Sequence, residues 1–246
     1  MISNGRISLP FFSGLYIMTI KQKLMLLGVT FLFSASNYAS VVIGGTRVIY
    51  PAEDKEVSVK VNNVGKNPVL IQSWIDNGNT EAKPESIQVP FILTPPINRV
   101  EPGKGQTLRI SATANSLPVD KESVFWLNVL EIPAKQAVIK NENYLQMAYR
   151  TRIKLFYRPS GLQGDANESA KRLTWTADAA TITASNPTAY HASLVTVTVN
   201  GKTVEGQMVP PYSSVTFRLA GSGGNKLSGE YVNDYGAVKT FESAIR

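Results

Sequence analysis

The chain has 246 residues, with 25 Lys and Arg against 18 Asp and Glu, and it contains no Cys and one His. The missing Cys excludes a thiol nucleophile, thiolate metal sites and disulfides. The lone His191 excludes a multi-His metal site and leaves little room for a Ser-His-Asp triad. No Lys/Arg run or glycine fingerprint indicates nucleic-acid or phosphate binding, so we expect no metal, cofactor or nucleic acid.

The N-terminus has the pattern of a secretory signal peptide. Lys21 and Lys23 precede an apolar run at residues 24–33 that is short for a transmembrane helix, and small polar residues follow. We predict that residues 1–39 are a cleaved signal peptide and that Met18 is the true start; a retained membrane anchor is the alternative. Secretion without Cys indicates a bacterial periplasm or exterior.

Residues 40–158 contain short apolar or alternating segments separated by turn residues, which is typical of a β-sandwich. A kink is expected at Gly44 and Gly45, and Trp74 is a candidate core anchor. The predicted strands are residues 41–50, 56–62, 69–76, 91–94, 107–113, 123–132 and 144–158.

The stretch at residues 144–159 organises this half of the chain. Leu145, Met147 and Tyr149 alternate as in a strand, and four cations follow them before Pro159. Large apolar side chains next to cations are hard to explain as plain core. Our hypothesis is that this strand is exposed and pairs with another chain, and that one cation holds that chain's carboxylate.

A second set of β segments follows residues 159–160, which we interpret as a linker. Asn200 and Gly201 predict a two-residue hairpin turn, and residues 163–171 predict a loop. We therefore expect a second sandwich at residues 161–246 and a binding cleft between the two domains. The predicted strands of this second sandwich are residues 172–176, 180–185, 190–199, 202–205, 214–219 and 229–232.

Several strings, in order along the mature chain, resemble the periplasmic pilus chaperones of the PapD-like family. The resemblance covers essentially the whole mature chain, and the string IKLFYRP after FWLNVLEIP is specific. The strings are TRVIY (46–50), FILTPP (91–96), RVEP (99–102), FWLNVLEIP (125–133), IKLFYRP (153–159), NPT (186–188) and NDYG (233–236).

The resemblance implies an all-β fold of two immunoglobulin-like sandwiches set in an L. It implies a non-enzymatic periplasmic chaperone that binds pilin subunits by donor-strand complementation, without ATP, and delivers them to an outer-membrane usher. Leu145, Met147 and Tyr149 match the donor positions that fill the subunit groove. An exposed apolar edge strand would also allow the free protein to form a self-capping homodimer.

The resemblance also implies two charged sites. Arg47 and Lys154 match the pair that anchors the subunit's C-terminal carboxylate. Lys154 has the opposite parity to Tyr149, so either the strand twists or bulges near Thr151 or the lysine reaches the cleft from the other face. A further set matches the ion network that bridges the two domains, namely Glu131, Arg158 and Asp234.

Two other functions are open from the residues alone. A two-domain adhesin or carbohydrate-binding module would need an exposed aromatic platform, whereas Trp74, Trp126 and Trp175 all lie in apolar strand contexts that favour core. A secreted hydrolase would need partnered carboxylates, but the acidic candidates lie in polar loops and are better explained as solvated charges. These candidates are Glu81, Glu85 and Asp120, and His191 is interpreted as a packing or surface residue.

Overall fold

A computed structural model of the protein describes residues 40–113, 117–134 and 147–246. Seventeen strands and two short 3-10 helices, Pro84–Ser86 and Ala166–Arg172, make up its regular structure. The predicted signal peptide, the predicted cleavage site and Leu145 lie outside the described residues. The predicted all-β architecture of two sandwich domains is confirmed.

The first sandwich contains nine strands in two sheets. The strands are β1 (Val41–Ile43), β2 (Arg47–Pro51), β3 (Val57–Asn63), β4 (Val69–Asp76), β5 (Phe91–Thr94), β6 (Ile97–Val100), β7 (Gly105–Ala112), β8 (Ser123–Pro133) and β9 (Tyr149–Arg158). One sheet has the order β1-β3-β7-β5 and the other has the order β2-β9-β8-β4-β6. Buried side chains from both sheets form one core that includes Val48, Ile71, Leu108, Leu127 and Leu155.

The chain changes sheets at Gly44 and Gly45, where the sequence predicts a kink. Strand β1 pairs antiparallel with β3, whereas β2 pairs parallel with β9 in the opposite sheet. Parallel pairing needs a long crossover connection, and the intervening strands of the sandwich supply it. This change of sheet places the start of β2 beside the middle of β9.

The second sandwich contains the remaining eight strands around a separate core that includes Trp175, Val197, Phe217 and Leu227. Asn200 and Gly201 both have positive φ, 50° and 76°, which is the backbone that a type I′ hairpin requires. The strands are β10 (Thr174–Asp178), β11 (Thr181–Ser185), β12 (Ala192–Val199), β13 (Lys202–Glu205), β14 (Met208–Val209), β15 (Ser214–Phe217), β16 (Lys226–Val232) and β17 (Val238–Ala244).

Several expectations from the sequence need correction. Strands β6, β14 and β17 were not predicted, because they are short or polar on their exposed positions. The segment Ala166–Arg172 forms a 3-10 helix where a loop was expected, and the Asp165 side chain accepts a hydrogen bond from the backbone N–H of Asn167 at its N-terminus.

Only one of the three tryptophans lies in a core. Trp175 is fully buried, whereas Trp74 and Trp126 are half-buried and belong to neither core cluster. The reason is strand parity: Phe125, Leu127 and Val129 take the inward positions of β8, so Trp126 is left on the opposite face of the sheet. The Arg152 guanidinium covers that ring, 4.5 Å from its centroid.

Candidate functional site

Strand β9 has a free edge along its first half. Strand β8 pairs with it from Tyr149 to Tyr157, but β2 pairs on the other side only from Lys154 onward. Within the described residues, positions 149–153 therefore have no strand partner on that side. An unpaired row of backbone N–H and C=O groups is a template for another chain.

The inward positions of β9 change from buried to exposed along the strand. Leu155 is fully buried and Ile153 packs against the same core. Tyr149 and Met147 follow the same alternation toward the N-terminus, but they lie past the end of the core and are 47% and 51% exposed. Two of the three side chains predicted for donation, Met147 and Tyr149, are thus exposed beside the free edge.

The pairing of β8 with β9 has a constant register from Tyr149 to Tyr157. Strand β9 therefore has no bulge at Thr151, so a bulge does not bring Lys154 to the face of Tyr149. Lys154 lies on the face opposite to Tyr149, together with Arg152 and Phe156. That face meets the second domain, because the Phe156 ring lies 5.5 Å from the ring of His191.

The structure brings Arg47 and Lys154 side by side, because they are partners in the parallel register of β2 and β9. The Arg47 Nη1 donates to the carbonyl oxygen of Val232 at 3.0 Å, and its guanidinium lies 5.7 Å from the centre of the Phe156 ring. No residue in the described part of the chain accepts a hydrogen bond from its buried Nε. The side-chain Nζ of Lys154 has neither a hydrogen bond nor a salt bridge to any residue in the described ranges.

Both cations are held in an environment that opposes their charge. Burial lowers the pKa of Lys154, and the positive charge of Arg47 lowers it further. Burial also lowers the pKa of Arg47, although the charges of Asp234 and Glu122 partly offset that effect. Two neighbouring cations with unused donors form a site for a single anion, and a carboxylate would accept charge-assisted hydrogen bonds from both.

A second charged cluster joins the two domains around Arg158. Its Nη1 and Nη2 donate to the two carboxylate oxygens of Asp234 at 2.7 and 3.0 Å, and its Nε and Nη2 donate to Oε1 of Glu122 at 3.0 and 2.8 Å. The other oxygen of Glu122 accepts from the backbone N–H of His191 and lies 2.8 Å from its Nδ1. Arg158 precedes the predicted linker, whereas Asp234 and His191 belong to the second sandwich.

Glu131 is not part of this cluster, contrary to the sequence-based expectation. It lies at the other end of β8, where it accepts hydrogen bonds from the Ser40 hydroxyl and from the backbone N–H of Val41. Glu122 has the role in the cluster that was expected of Glu131, because Glu122 directly precedes β8 and faces the second domain. Its place in a polar turn, residues 118–122, gave no sequence signal of burial.

Because Glu122 is buried and hydrogen-bonded, we expect the folded protein to lose stability in acid. Burial acts to raise its pKa, but the hydrogen bond with His191 and the charge of Arg158 outweigh that effect and hold the pKa below its ordinary value of 4.5. A carboxyl group with a depressed folded-state pKa contributes stability above its unfolded pKa and loses it as pH falls through the folded pKa. We therefore expect the unfolding midpoint to fall with pH only below about 4.5.

Urea unfolding at pH 7 and pH 3 measures this effect, and Glu122→Gln is the variant that isolates it. The variant should be less stable than the wild type at pH 7, and its stability should fall less between the two pH values. An equal pH-dependent loss in both proteins would assign the acid sensitivity to other carboxyl groups.

A third cluster, which the sequence did not reveal, lies on the same face of the sheet. Asp76 at the end of β4 forms a bidentate pair with Arg152, with Nε–Oδ2 and Nη2–Oδ1 distances of 2.9 and 2.6 Å. Asp76 also accepts from the side chain of Asn128 and from the backbone N–H of Gly78. The sequence places Arg152 on the same face of β9 as Lys154, but it gives no indication that Asp76 pairs with Arg152.

The residues considered for enzyme chemistry do not form a site. Glu81, Glu85 and Asp120 are exposed, and His191 is engaged with Glu122 in the domain contact. No cluster of three or more His, Asp or Glu in the described ranges could hold a metal ion. Among the helices of the described part of the chain, none has the length and hydropathy of a membrane span.

Comparison with known proteins gives consistent matches over both sandwiches. Residues 40–163 match the family model described as "Pili and flagellar-assembly chaperone, PapD N-terminal domain", and residues 168–243 match "Pili assembly chaperone PapD, C-terminal domain". The chaperone protein FimB/FhaD of Bordetella pertussis is 45% identical over 216 residues, which is 84% of this chain and 88% of that protein. The probable fimbrial chaperone YadV of Escherichia coli is 43% identical, over 84% and 90% of the two chains.

Solved structures agree with these matches. The crystal structure of the YadV chaperone has a TM-score of 0.71 at 37% identity and covers 84% of this chain and 100% of that one. The SafB chaperone, solved in complex with the Salmonella enterica SafA pilin, has a TM-score of 0.75 at 28% identity and covers 86% and 99%. The two family matches and these relatives show that this chain belongs to the PapD-like family of pilus-assembly chaperones.

Proposed function

We propose that this chain captures pilin subunits in the bacterial periplasm by lending them the free edge of β9, and that Arg47 and Lys154 hold the subunit's C-terminal carboxylate. The observation that carries the proposal is the position of these two cations. They lie where the free edge ends and β2 begins, so an incoming strand would stop at them.

The geometry predicts the direction of the incoming strand. Its C-terminus must lie at Lys154, while the rest of it pairs with residues 149–153. It therefore runs parallel to β9, in line with β2, and occupies the edge that β2 leaves open. Backbone hydrogen bonds along this edge would provide affinity without regard to sequence, and the carboxylate would fix the endpoint.

The exposed apolar side chains beside the edge would fill the open groove of the subunit. Met147 and Tyr149 lie on the face continuous with the chaperone core, so the two hydrophobic cores would meet there. Burying each side chain would contribute about 1.5–3 kcal/mol. Leu145 continues the alternation in the sequence, and we assign it the same role.

The cluster of Arg158, Glu122 and Asp234 would hold the two domains in a fixed arrangement around the site. We place the domains at residues 40–158 and 161–246, with residues 159–160 as the linker and residues 1–39 as a cleaved signal for export. The protein would act without catalysis or ATP, pass its subunit to an outer-membrane usher, and cap its own free edge by forming a homodimer when no subunit is bound.

The proposal is tested by co-expressing residues 40–246 with a candidate pilin, each exported to the periplasm, and by purifying the chaperone. We expect a stable soluble complex with one pilin per chaperone, and degradation or aggregation of the pilin expressed alone. A pilin of the same assembly system that stays soluble without the chaperone and never co-purifies with it would contradict the proposal.

Met147→Glu is expected to prevent capture while leaving the chaperone folded. The free protein has room for a charge because Met147 is exposed, but in the complex the carboxylate would be buried in the subunit groove without a partner, which costs several kcal/mol. Co-purified pilin measures the loss, and the control is Val119→Glu, a charge at an apolar position that is more exposed, at 79%, and lies away from β9. Normal capture by Met147→Glu would count against strand donation.

A further inference from the structure

The anchor pair has a potential competitor on the same strand. Arg152 lies two residues before Lys154 on the same face of β9, and it borders the same free edge. Its charge is not available to an incoming carboxylate, because both oxygens of Asp76 accept hydrogen bonds from it and its guanidinium stacks on Trp126.

Several contacts hold the Asp76 side chain in the position from which it pairs with Arg152. Its side chain is 2% exposed, and Asn128 and the backbone of Gly78 donate to it at 2.7 Å each. Gly78 has a φ of 112°, which other residues rarely adopt, and a Cβ atom there would lie 3.1 Å from the Trp126 ring, so a side chain at this position would strain the turn. The turn, the carboxylate and the indole together enclose Arg152.

Register explains why this enclosure matters. A captured strand that slips by one residue turns every side chain to the wrong face, so such a slip is strongly disfavoured. A slip of two residues keeps every side chain on its correct face and moves the carboxylate by about 6.6 Å, which is the spacing from Lys154 to Arg152. Without Asp76, a captured strand that slipped by two residues could therefore place its carboxylate at Arg152 as a second anchor.

We propose that Asp76 sets the register of the captured subunit by neutralising Arg152, so that Arg47 and Lys154 are the sole anchor for the carboxylate. Asp76 is a positioning residue that acts through Arg152. This inference rests on the proposed function. Arg150, two residues earlier again, donates to the carbonyl of Thr80, and an anchor there would leave almost none of the free edge paired.

Disulfide trapping measures the register directly, since the chain contains no Cys. A Thr151→Cys chaperone is co-expressed with single-cysteine variants of the pilin that it captures, along the last strand of that pilin. We expect one trapped position in this background. Adding Asp76→Asn, which removes the charge but keeps the size, should produce a second trapped position two residues nearer the pilin's carboxyl terminus.

Two further variants separate register from a general structural defect. Asp76→Asn combined with Arg152→Gln should return to the single position, because the competing cation is gone. Glu101→Gln, which breaks the exposed pair with Arg99 in the same domain, should leave the trapping pattern unchanged. If Asp76→Asn does not fold, Asp76→Ser also removes the charge and leaves Arg152 in place, and it should give the same second position.

The possible outcomes distinguish a failure of the proposed function from a failure of this inference. No trapping in the Thr151→Cys background would overturn the proposed function together with this inference. A single unchanged position in both Asp76→Asn and Asp76→Ser would overturn the inference and leave strand capture intact. A second position that persists after Arg152→Gln would also overturn it, because Arg152 would not be its cause.

Discussion

Lys154→Ala is expected to abolish subunit capture while leaving the free chaperone at least as stable as the wild type. In the complex, its ammonium would form a charge-assisted hydrogen bond to a desolvated carboxylate. Truncating one partner of such a pair costs about 2–5 kcal/mol of binding free energy, which corresponds to roughly a 30-fold to several-thousand-fold weaker complex. Arg47→Ala should have a similar effect on capture.

The thermal stability of variants at Lys154 distinguishes a role of this lysine in binding from a role in the folded structure. Burial and the neighbouring Arg47 both disfavour the charged form of Lys154 in the folded protein, and no partner within the described ranges offsets this cost. Lys154→Met, which retains most of the apolar stem, should therefore unfold at the same temperature as the wild type or higher.

Co-purification yield and thermal unfolding measure the two effects on the same preparations. Lys104→Ala is the matched control, because Lys104 is an exposed lysine in a turn of the same domain. A normal yield of complex from both Lys154→Ala and Arg47→Ala would contradict the anchor. A large drop in the unfolding temperature of Lys154→Met would instead indicate a structural lysine.

Arg158→Ala is expected to destabilise the protein by about 3–5 kcal/mol, because it leaves Glu122 as a buried carboxylate without its guanidinium partner. Asp234, which is about one-fifth exposed, would lose its bidentate pair in the same variant. The Arg158 pKa is raised: burial opposes the charge, but hydrogen bonds with Asp234 and the charges of both acids outweigh it. The cation is therefore held firmly in the folded state.

Urea unfolding at pH 7, monitored by far-UV circular dichroism and tryptophan fluorescence, measures this loss. Arg99→Ala is the control, because Arg99 pairs with Glu101 at an exposed site, 66% and 54% accessible, where a pair contributes about 1 kcal/mol or less. Separate transitions for the two probes in Arg158→Ala would indicate that the domains have become uncoupled. An effect as small as that of Arg99→Ala would mean that the cluster does not hold the domains together.

Much of this protein follows from local pattern in the sequence. Alternating side chains and turn residues identify most strands, and the Asn200–Gly201 turn forms because the hairpin requires two residues with positive φ. The alternation of side chains at residues 144–149 predicts a strand there, and the cations that follow it indicate that this strand has a role beyond the core. The strings that resemble pilus chaperones indicated the family.

The partners of charged and aromatic side chains depended on the tertiary structure. Local sequence does not reveal whether a charge in a turn is buried. The family resemblance therefore predicts Glu131 in the interdomain cluster, although Glu122 occupies it. Trp126 has an apolar neighbourhood in the chain, but its position on β8 turns it away from the core.

Likewise, the free edge of β9 exists because β2 begins only opposite Lys154, and Asp76 meets Arg152 across a separation of 76 residues. These contacts join segments distant in sequence, and sheet register decides which side chains become neighbours. A periodic pattern identifies a strand and its two faces. Only the packed fold determines what each face meets, because burial and pairing are properties of the whole chain.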